Sequence, residues 1–381
     1  MSVAAPAANQ ASGRPQTNSV TTATVLLGRK DSPTDGVADY CDALGEALAL
    51  QGVALQQRRV PWAEKGWWRA LRWLSAESRP WREQWVFFQY TSLGWSCRGF
   101  PLGAIAVVAL LRRRRARCAV VFHDANPPSG DRLIDRIRAA FQMRVIRAIF
   151  ALSERAVFTF PLERISWLPA KTGKAVFIPL GANIPANSQR RRNGRDSARG
   201  PKTVAVFGVT VGRVTSEEVA DIAYALSAAD KRLSPLRLLV LGRGSDEAHG
   251  ALEAALRGTR VQLVVCGVLP AAEVTQALSE ADVLLFVRGL VSPRRSSAVA
   301  GVACGLPIVG YGESDSSFPI SEAGVEYAPW QDRDALAQAL CSTLSDEERW
   351  HELHERSLRA QAEYFSWEKI ARQYQRVMSD G

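Results

Sequence analysis

Arg294 and Arg295 stand where a diphosphate could be handled. They fall in the stretch 292–309, S-P-R-R-S-S-A-V-A-G-V-A-C-G-L-P-I-V. An apolar run ends near Val287, a small-residue helix is predicted to begin near Ser296, and Gly305, Leu306 and Pro307 stop it. A helix N-terminus offers unpaired N–H groups and a partial positive charge. Two guanidinium groups beside it, with the hydroxyls of Ser292, Ser296 and Ser297, compose a diphosphate site. Ala298, Ala300, Gly301 and Ala303 would let the helix lie close on a sheet. The same residues also suit an ordinary capped helix with surface arginines.

Other polar residues sit at predicted strand ends. His123 and Asp124 follow the apolar run 119–122, and Asp35 and Gly36 lie in a polar loop after 25–27. Gly208, Arg213, Arg243 and Gly267 follow runs in the second half. Arg213 or Arg243 would serve either as a further diphosphate cation or as a solvated surface charge. The six cysteines form no C-x-x-C pair and the four histidines no H-E-x-x-H pattern. That predicts reduced thiols in a cytoplasmic setting and no structural zinc. The one D-x-D, Asp332 to Asp334, lies in a loop-to-helix stretch, so no metal and no other cofactor is expected.

Six of the eleven tryptophans fall within 58–85, among arginines. On a helical wheel Trp67, Ala70, Leu71 and Leu74 form one stripe, expected in the core. Trp68 and Trp73 flank Arg69 and Arg72 opposite, as on an interfacial helix, and are expected to face an anionic membrane surface. No nucleic-acid-binding motif accompanies them.

Positioning these residues needs two units, because 381 residues exceed one ordinary core. Apolar residues make up 47% and charged residues 23%, which suits a globular chain and excludes a disordered one. Residues 1–22 are polar, Ala-rich and without an apolar h-region, and read as a disordered tail rather than a signal peptide. Strands are predicted at 25–27, 86–88, 119–122, 157–160 and 175–179, with helices over 37–50 and 131–152. Leu133, Ile137, Phe141 and Val145 should form the buried face of the second helix. Residues 101–111 read as a buried helix ending in a basic run. A basic linker is expected at 185–202, with five arginines (Arg190, Arg191, Arg192, Arg195, Arg199). Strands resume at 203–207, 236–241, 261–266, 283–287 and 307–310. Strand and helix alternate in both halves, which predicts two parallel, doubly wound sheets with ligands at the strands' carboxyl ends. Residues 1–202 carry 31 Lys and Arg against 14 Asp and Glu, and 203–381 carry 17 against 24. The basic half should therefore meet an anionic partner.

Taken in order, these segments resemble the family 4 (group 1) retaining glycosyltransferases. The stretch 292–309 resembles their donor-binding helix, and 33–40, P-T-D-G-V-A-D-Y, their first Gly-bearing loop. V-F-H-D at 121–124, F-I-P-L-G-A-N-I-P at 177–185, L-G-R-G-S at 241–245 and Y-F-S-W-E-K-I-A-R-Q-Y at 364–374 match further segments in order and spacing over 23–378. The resemblance implies an α/β GT-B fold: two doubly wound Rossmann-like domains, 23–184 and 203–363, facing each other across a cleft. Residues 364–381 would form a helix crossing back to the first domain. It implies metal-independent transfer from a nucleotide-sugar donor to a lipid-linked or other glycan acceptor, in polysaccharide biosynthesis at the inner face of the cytoplasmic membrane. His123 would hold a donor-sugar hydroxyl, Arg294 and Arg295 would favour departure of the diphosphate, and Asp35, Gly36, Trp68 and Trp73 would face the acceptor. Gly208, Arg213, Arg243, Gly267, Ser292, Ser296 and Ser297 would complete the donor site. The family's two glutamates, eight positions apart, are here Ser292 and Ala300. That departure keeps a non-catalytic GT-B scaffold as the alternative, beside a nucleotide-sugar epimerase of the same fold.

Overall fold

The computed structural model describes residues 21–31, 35–127, 130, 132–169, 172–186, 200–212, 214–312 and 318–379. Most of the expected tail and linker, the tip of the 33–40 loop, Asp131 and Arg213 lie outside them.

The first sheet holds β1 (Thr21–Leu27), β2 (Val53–Arg59), β3 (Trp85–Tyr90), β4 (Arg117–Phe122), β5 (Arg155–Phe158) and β6 (Ala175–Phe177). Their spatial order is β2-β1-β3-β4-β5-β6, all parallel. Trp85 to Tyr90 are buried throughout, as a central parallel strand must be when helices cover both faces. The helices are α1 (Gly36–Ala49), α2 (Trp62–Lys65), α3 (Trp67–Glu77), α4 (Leu102–Arg113) and α5 (Leu133–Leu152). Thr21 and Thr22, assigned to the tail from sequence, are the first residues of β1.

The second sheet holds β7 (Lys202–Phe207), β8 (Leu236–Leu241), β9 (Gln262–Gly267), β10 (Val283–Phe286), β11 (Ile308–Tyr311) and β12 (Val325–Ala328), in the order β12-β11-β10-β7-β8-β9, again parallel. It is flanked by α6 (Thr215–Leu233), α7 (Ser245–Ala255), α8 (Ala271–Glu280), α9 (Ser296–Ala303), α10 (Arg333–Ser345) and α11 (Glu347–Ala360). β2 and β12 have no counterpart among the predicted strands. Both are edge strands with only one or two fully buried residues, so neither carries the continuous apolar run that marks a central strand.

A π-helical turn, Gln361–Phe365, precedes α12 (Trp367–Ser379). Ile370, Ala371, Tyr374 and Val377 of α12 join Tyr40, Leu44, Leu48 and Phe87 in the first domain's core. The Tyr374 and Tyr40 hydroxyls are 2.9 Å apart, and Trp367 Nε1 donates to the Ala182 carbonyl at 2.7 Å. The last helix therefore straps the second domain to the first.

Two expectations fail on packing. The buried face of α5 starts only at Gln142, and Leu133, Ile134 and Ile137 are 72%, 48% and 51% exposed. None of these three joins a core cluster, so the apolar side chains of the first turns stay open to solvent. Trp73 is partly buried and packs against the first core together with Trp67 and Leu71, rather than standing on the polar face. Trp68 alone stands free, 81% exposed.

Candidate active site

Each sheet has one point where the strand order reverses, β1/β3 in the first and β7/β10 in the second. Crevices form there because the loops leave in opposite directions. At the first, Gly28 follows β1, and a Cβ on it would lie 2.2 Å from the Gly94 carbonyl oxygen. Only glycine lets these loops meet, and Arg29 N–H donates to that same oxygen at 2.7 Å.

A cavity of about 420 Å³ opens over this crevice, lined among others by Gly28, Asp35, Gly36, Gln89, His123 and, from the second domain, Ser296. Three of the expected site residues thus meet here with the start of α9. Asp35 caps α1, accepting from Ala38 N–H at 3.1 Å, and pairs with Arg59 at 2.9 Å. Its carboxylate is committed to holding the loop, and Arg59, which also donates to the Gly28 carbonyl, was not foreseen because it ends an edge strand.

His123 follows β4, held by its N–H on the Tyr90 carbonyl at 3.1 Å. Its Nε2 lies 2.8 Å from Gln89 Oε1; the tautomer that carries its proton on Nε2 makes this a hydrogen bond and leaves Nδ1 as an acceptor. The edge of Tyr40 packs on the ring. Burial, then the charge of Arg294, lowers its pKa from 6.5 to about 4. The imidazole is neutral near pH 7 and suited to a substrate hydroxyl, not to charge.

The arginine pair divides. Arg294 reaches across the cleft: Nη2 is 3.2 Å from the His123 carbonyl oxygen and 3.4 Å from Asp124 Oδ1, and the guanidinium lies 5.1 Å from the Phe160 ring centre. Arg295 stays on the second domain and lines a cavity of about 1010 Å³ with Arg288, Gly289, Glu218 and Thr210. Arg288, unmarked by sequence, follows β10 at the second reversal point. Its Nη1 would lie 2.7 Å from a Cβ on Gly208, and its buried Nε has no hydrogen-bond partner. Burial, then the charges of Arg288 and Arg294, lower the Arg295 pKa, with Glu218 opposing. A bound polyanion would relieve that crowding.

The remaining residues do not converge. Gly267 accepts the Gly242 N–H at 2.7 Å, and the Arg243 carbonyl accepts Val209 N–H at 2.9 Å. Both backbones hold the strand-end loops, and neither residue lines the cavities above. The Ser292 carbonyl accepts Arg295 N–H, and Ser297 is buried on α9. Trp68 and Trp73 lie on α3 and line neither cavity, so they are not neighbours of Asp35. Among the described residues no group of three or more His, Cys, Asp or Glu is placed as metal ligands would be.

Comparison with known proteins agrees with this architecture. Residues 207–346 match the family described as glycosyl transferases group 1. No curated protein matches the chain in sequence. Among solved structures, HepE of Anabaena in complex with UDP and glucose is similar at a TM-score of 0.65, 11% identity, over 95% of this chain and 100% of that one. A glycosyltransferase from Rickettsia africae gives 0.64, 10%, 95% and 98%. A structure described as trehalose-6-phosphate from E. coli, bound with UDP-2-fluoro glucose, gives 0.59, 13%, 94% and 99%. The chain has the GT-B fold, and residues 207–346, most of its second domain, match the glycosyl transferases group 1.

Proposed function

We propose that this chain transfers a sugar, with retention of its anomeric configuration and without a metal, from a nucleotide diphosphate-sugar on the second domain to an acceptor on the first. The observation that carries the reading is the orphaned, buried Nε of Arg288 beside Gly208, with Arg295 next to it. Charge grows on the departing phosphate as its bond to the anomeric carbon breaks. Fixed cations and the α9 N-terminus favour that state over the bound substrate. Guanidinium groups supply the positive charge that a divalent ion supplies elsewhere. Neutral His123 orients a sugar hydroxyl from the opposite wall. UDP and glucose in HepE, and UDP-2-fluoro glucose in the E. coli structure, support a nucleotide-sugar donor.

For the acceptor we propose a lipid-linked glycan of a surface polysaccharide, met at the inner face of the cytoplasmic membrane. Exposed Leu133, Ile134 and Ile137 beside Arg132 and Arg136 on α5, with Trp68 on α3, support peripheral contact with an anionic bilayer. Among the described residues no helix is long and apolar enough to cross a membrane.

The test is hydrolysis of a nucleotide-sugar panel by the pure protein, in excess EDTA and with magnesium or manganese. Turnover of one donor, unchanged by EDTA, is expected. Turnover that needs added metal refutes the mechanism. Donor binding without turnover of any kind supports the scaffold reading, which Ser292 and Ala300 at the glutamate positions favour.

A further inference from the structure

A second chamber, about 580 Å³, opens beside the cleft cavity on the first domain, and the transfer scheme above leaves it unused. Leu93 and Asp124 line both spaces, so the two meet there. Its wall carries three cations, Arg98, Arg138 and Arg294, and one carboxylate, Asp124.

The cations are only partly committed. Arg98 is exposed and in no ion pair among the described residues. Arg138 donates Nε to the Arg98 carbonyl at 3.2 Å and Nη1 to Asp135 at 2.7 Å, and among the described residues its Nη2 makes no further bond. Arg294 turns Nη2 to His123 and Asp124 at long range.

The base of the chamber is closely fitted. Gly99 has φ +78°, and a Cβ there would lie 2.6 Å from Arg138 Cδ and 3.0 Å from Gln142 Nε2. Only glycine lets both side chains close over this backbone. Gln142 is 2% exposed; its Nε2 donates to the Gly99 carbonyl at 2.8 Å, and its Oε1 has no partner. The chamber therefore pairs forked donors suited to a phosphate with an acceptor suited to a hydroxyl.

Arg288 and Arg295 line a different cavity on the other domain. Two sets of cations thus line two different cavities: Arg98 and Arg138 of the first domain with Arg294 reaching over from the second, and Arg288 with Arg295 on the second domain alone. A nucleotide-sugar fills one. We infer that the second chamber binds the phosphate of the acceptor, a glycosyl phosphate or diphosphate whose ring reaches His123 through the opening at Leu93 and Asp124. The inference rests on the transferase reading. Leu93, 59% exposed, and the exposed apolar turns of α5 just before Arg138 would lie along an apolar carrier attached to that phosphate.

The experiment is calorimetric titration of the full chain, with and without saturating UDP. The probes are glucose 1-phosphate and, below its micelle concentration, dodecyl phosphate. The variants are Arg98→Glu and the double variant Arg98→Gln/Arg138→Gln. Arg98 is exposed and its side chain is in no ion pair among the described residues, so the first variant should fold as the parent does.

At least one probe should bind the parent in the presence of UDP. Its affinity should fall at least tenfold in both variants, while the UDP affinity stays within twofold. Tighter binding of dodecyl phosphate assigns the phosphate to a lipid carrier, and tighter binding of glucose 1-phosphate assigns it to a soluble sugar phosphate. Neither probe binding the parent, or equal binding by parent and variants, overturns the inference. A parent that takes a probe in this way but binds no nucleotide and hydrolyses no nucleotide-sugar would instead refute the donor half of the transferase reading.

Discussion

Separating the two arginines tests the central geometry. The perturbations are Arg294→Gln and Arg295→Gln. Arg294 makes an ion pair at 3.4 Å between side chains that are 45% and 40% exposed, a 3.2 Å contact to a carbonyl, and a distant ring contact. An exposed pair contributes about 0.2–1 kcal/mol, and an exposed cation–π contact about 0.5–1 kcal/mol. Arg294→Gln should therefore cost about 1–2 kcal/mol of cleft closure, a shift of about 5–30-fold in the balance of closed and open forms. It should leave nucleoside-diphosphate affinity within about threefold. Arg295 faces the second-domain cavity beside Arg288, so its loss should remove a charge-assisted contact worth about 1.5–3 kcal/mol. That is about 10–150-fold in UDP affinity. Calorimetry with UDP at fixed salt reads the second effect, and small-angle scattering with and without UDP reads the first. If Arg294→Gln weakens UDP as much as Arg295→Gln, the two act as one diphosphate clamp and the division drawn here is wrong.

Other outcomes follow from particular contacts. His123 has its pKa lowered from 6.5 to about 4 in the folded chain, so the unfolded chain binds more protons between those values. Its contribution, roughly 3 kcal/mol, should be complete above pH 6.5 and lost as pH falls towards 4. Urea titrations of His123→Gln should lack that component, and an unchanged pH profile would refute the burial argument. Tyr374→Phe should cost about 1–3 kcal/mol by stranding the buried Tyr40 hydroxyl, and adding Tyr40→Phe should cost little more; additive losses in a denaturation cycle would show that the 2.9 Å contact is not coupled. Trp68→Ser should leave the melting temperature unchanged and weaken sedimentation with anionic vesicles, whereas Trp73→Ser should destabilise the first domain by about 2 kcal/mol. Unchanged vesicle binding in Trp68→Ser would remove that tryptophan from the membrane surface.

By itself the sequence determined the two-sheet plan, because buried parallel strands must be continuous apolar runs and 86–88, 119–122, 236–241 and 283–287 are such runs. It also placed His123 and the Arg294–Arg295 pair at strand-end loops, since polar residues directly after such runs have nowhere else to go. Edge strands escaped it, because β2 and β12 lose the apolar run on the side that faces solvent. So did the direction of each side chain. Adjacent arginines just ahead of a helix diverge when its axis is fixed, and only packing sent Arg294 to the first domain and Arg295 to Arg288. Arg288 itself reads as an ordinary charge after β10; its meaning comes from Gly208, eighty residues earlier, which the strand order brings beside it. The same holds for Trp73 and Leu133, whose helical phase was legible while the presence or absence of a neighbour to cover them was not. Periodicity describes one element at a time, whereas burial and charge pairing depend on which elements meet, and that is decided by the tertiary structure.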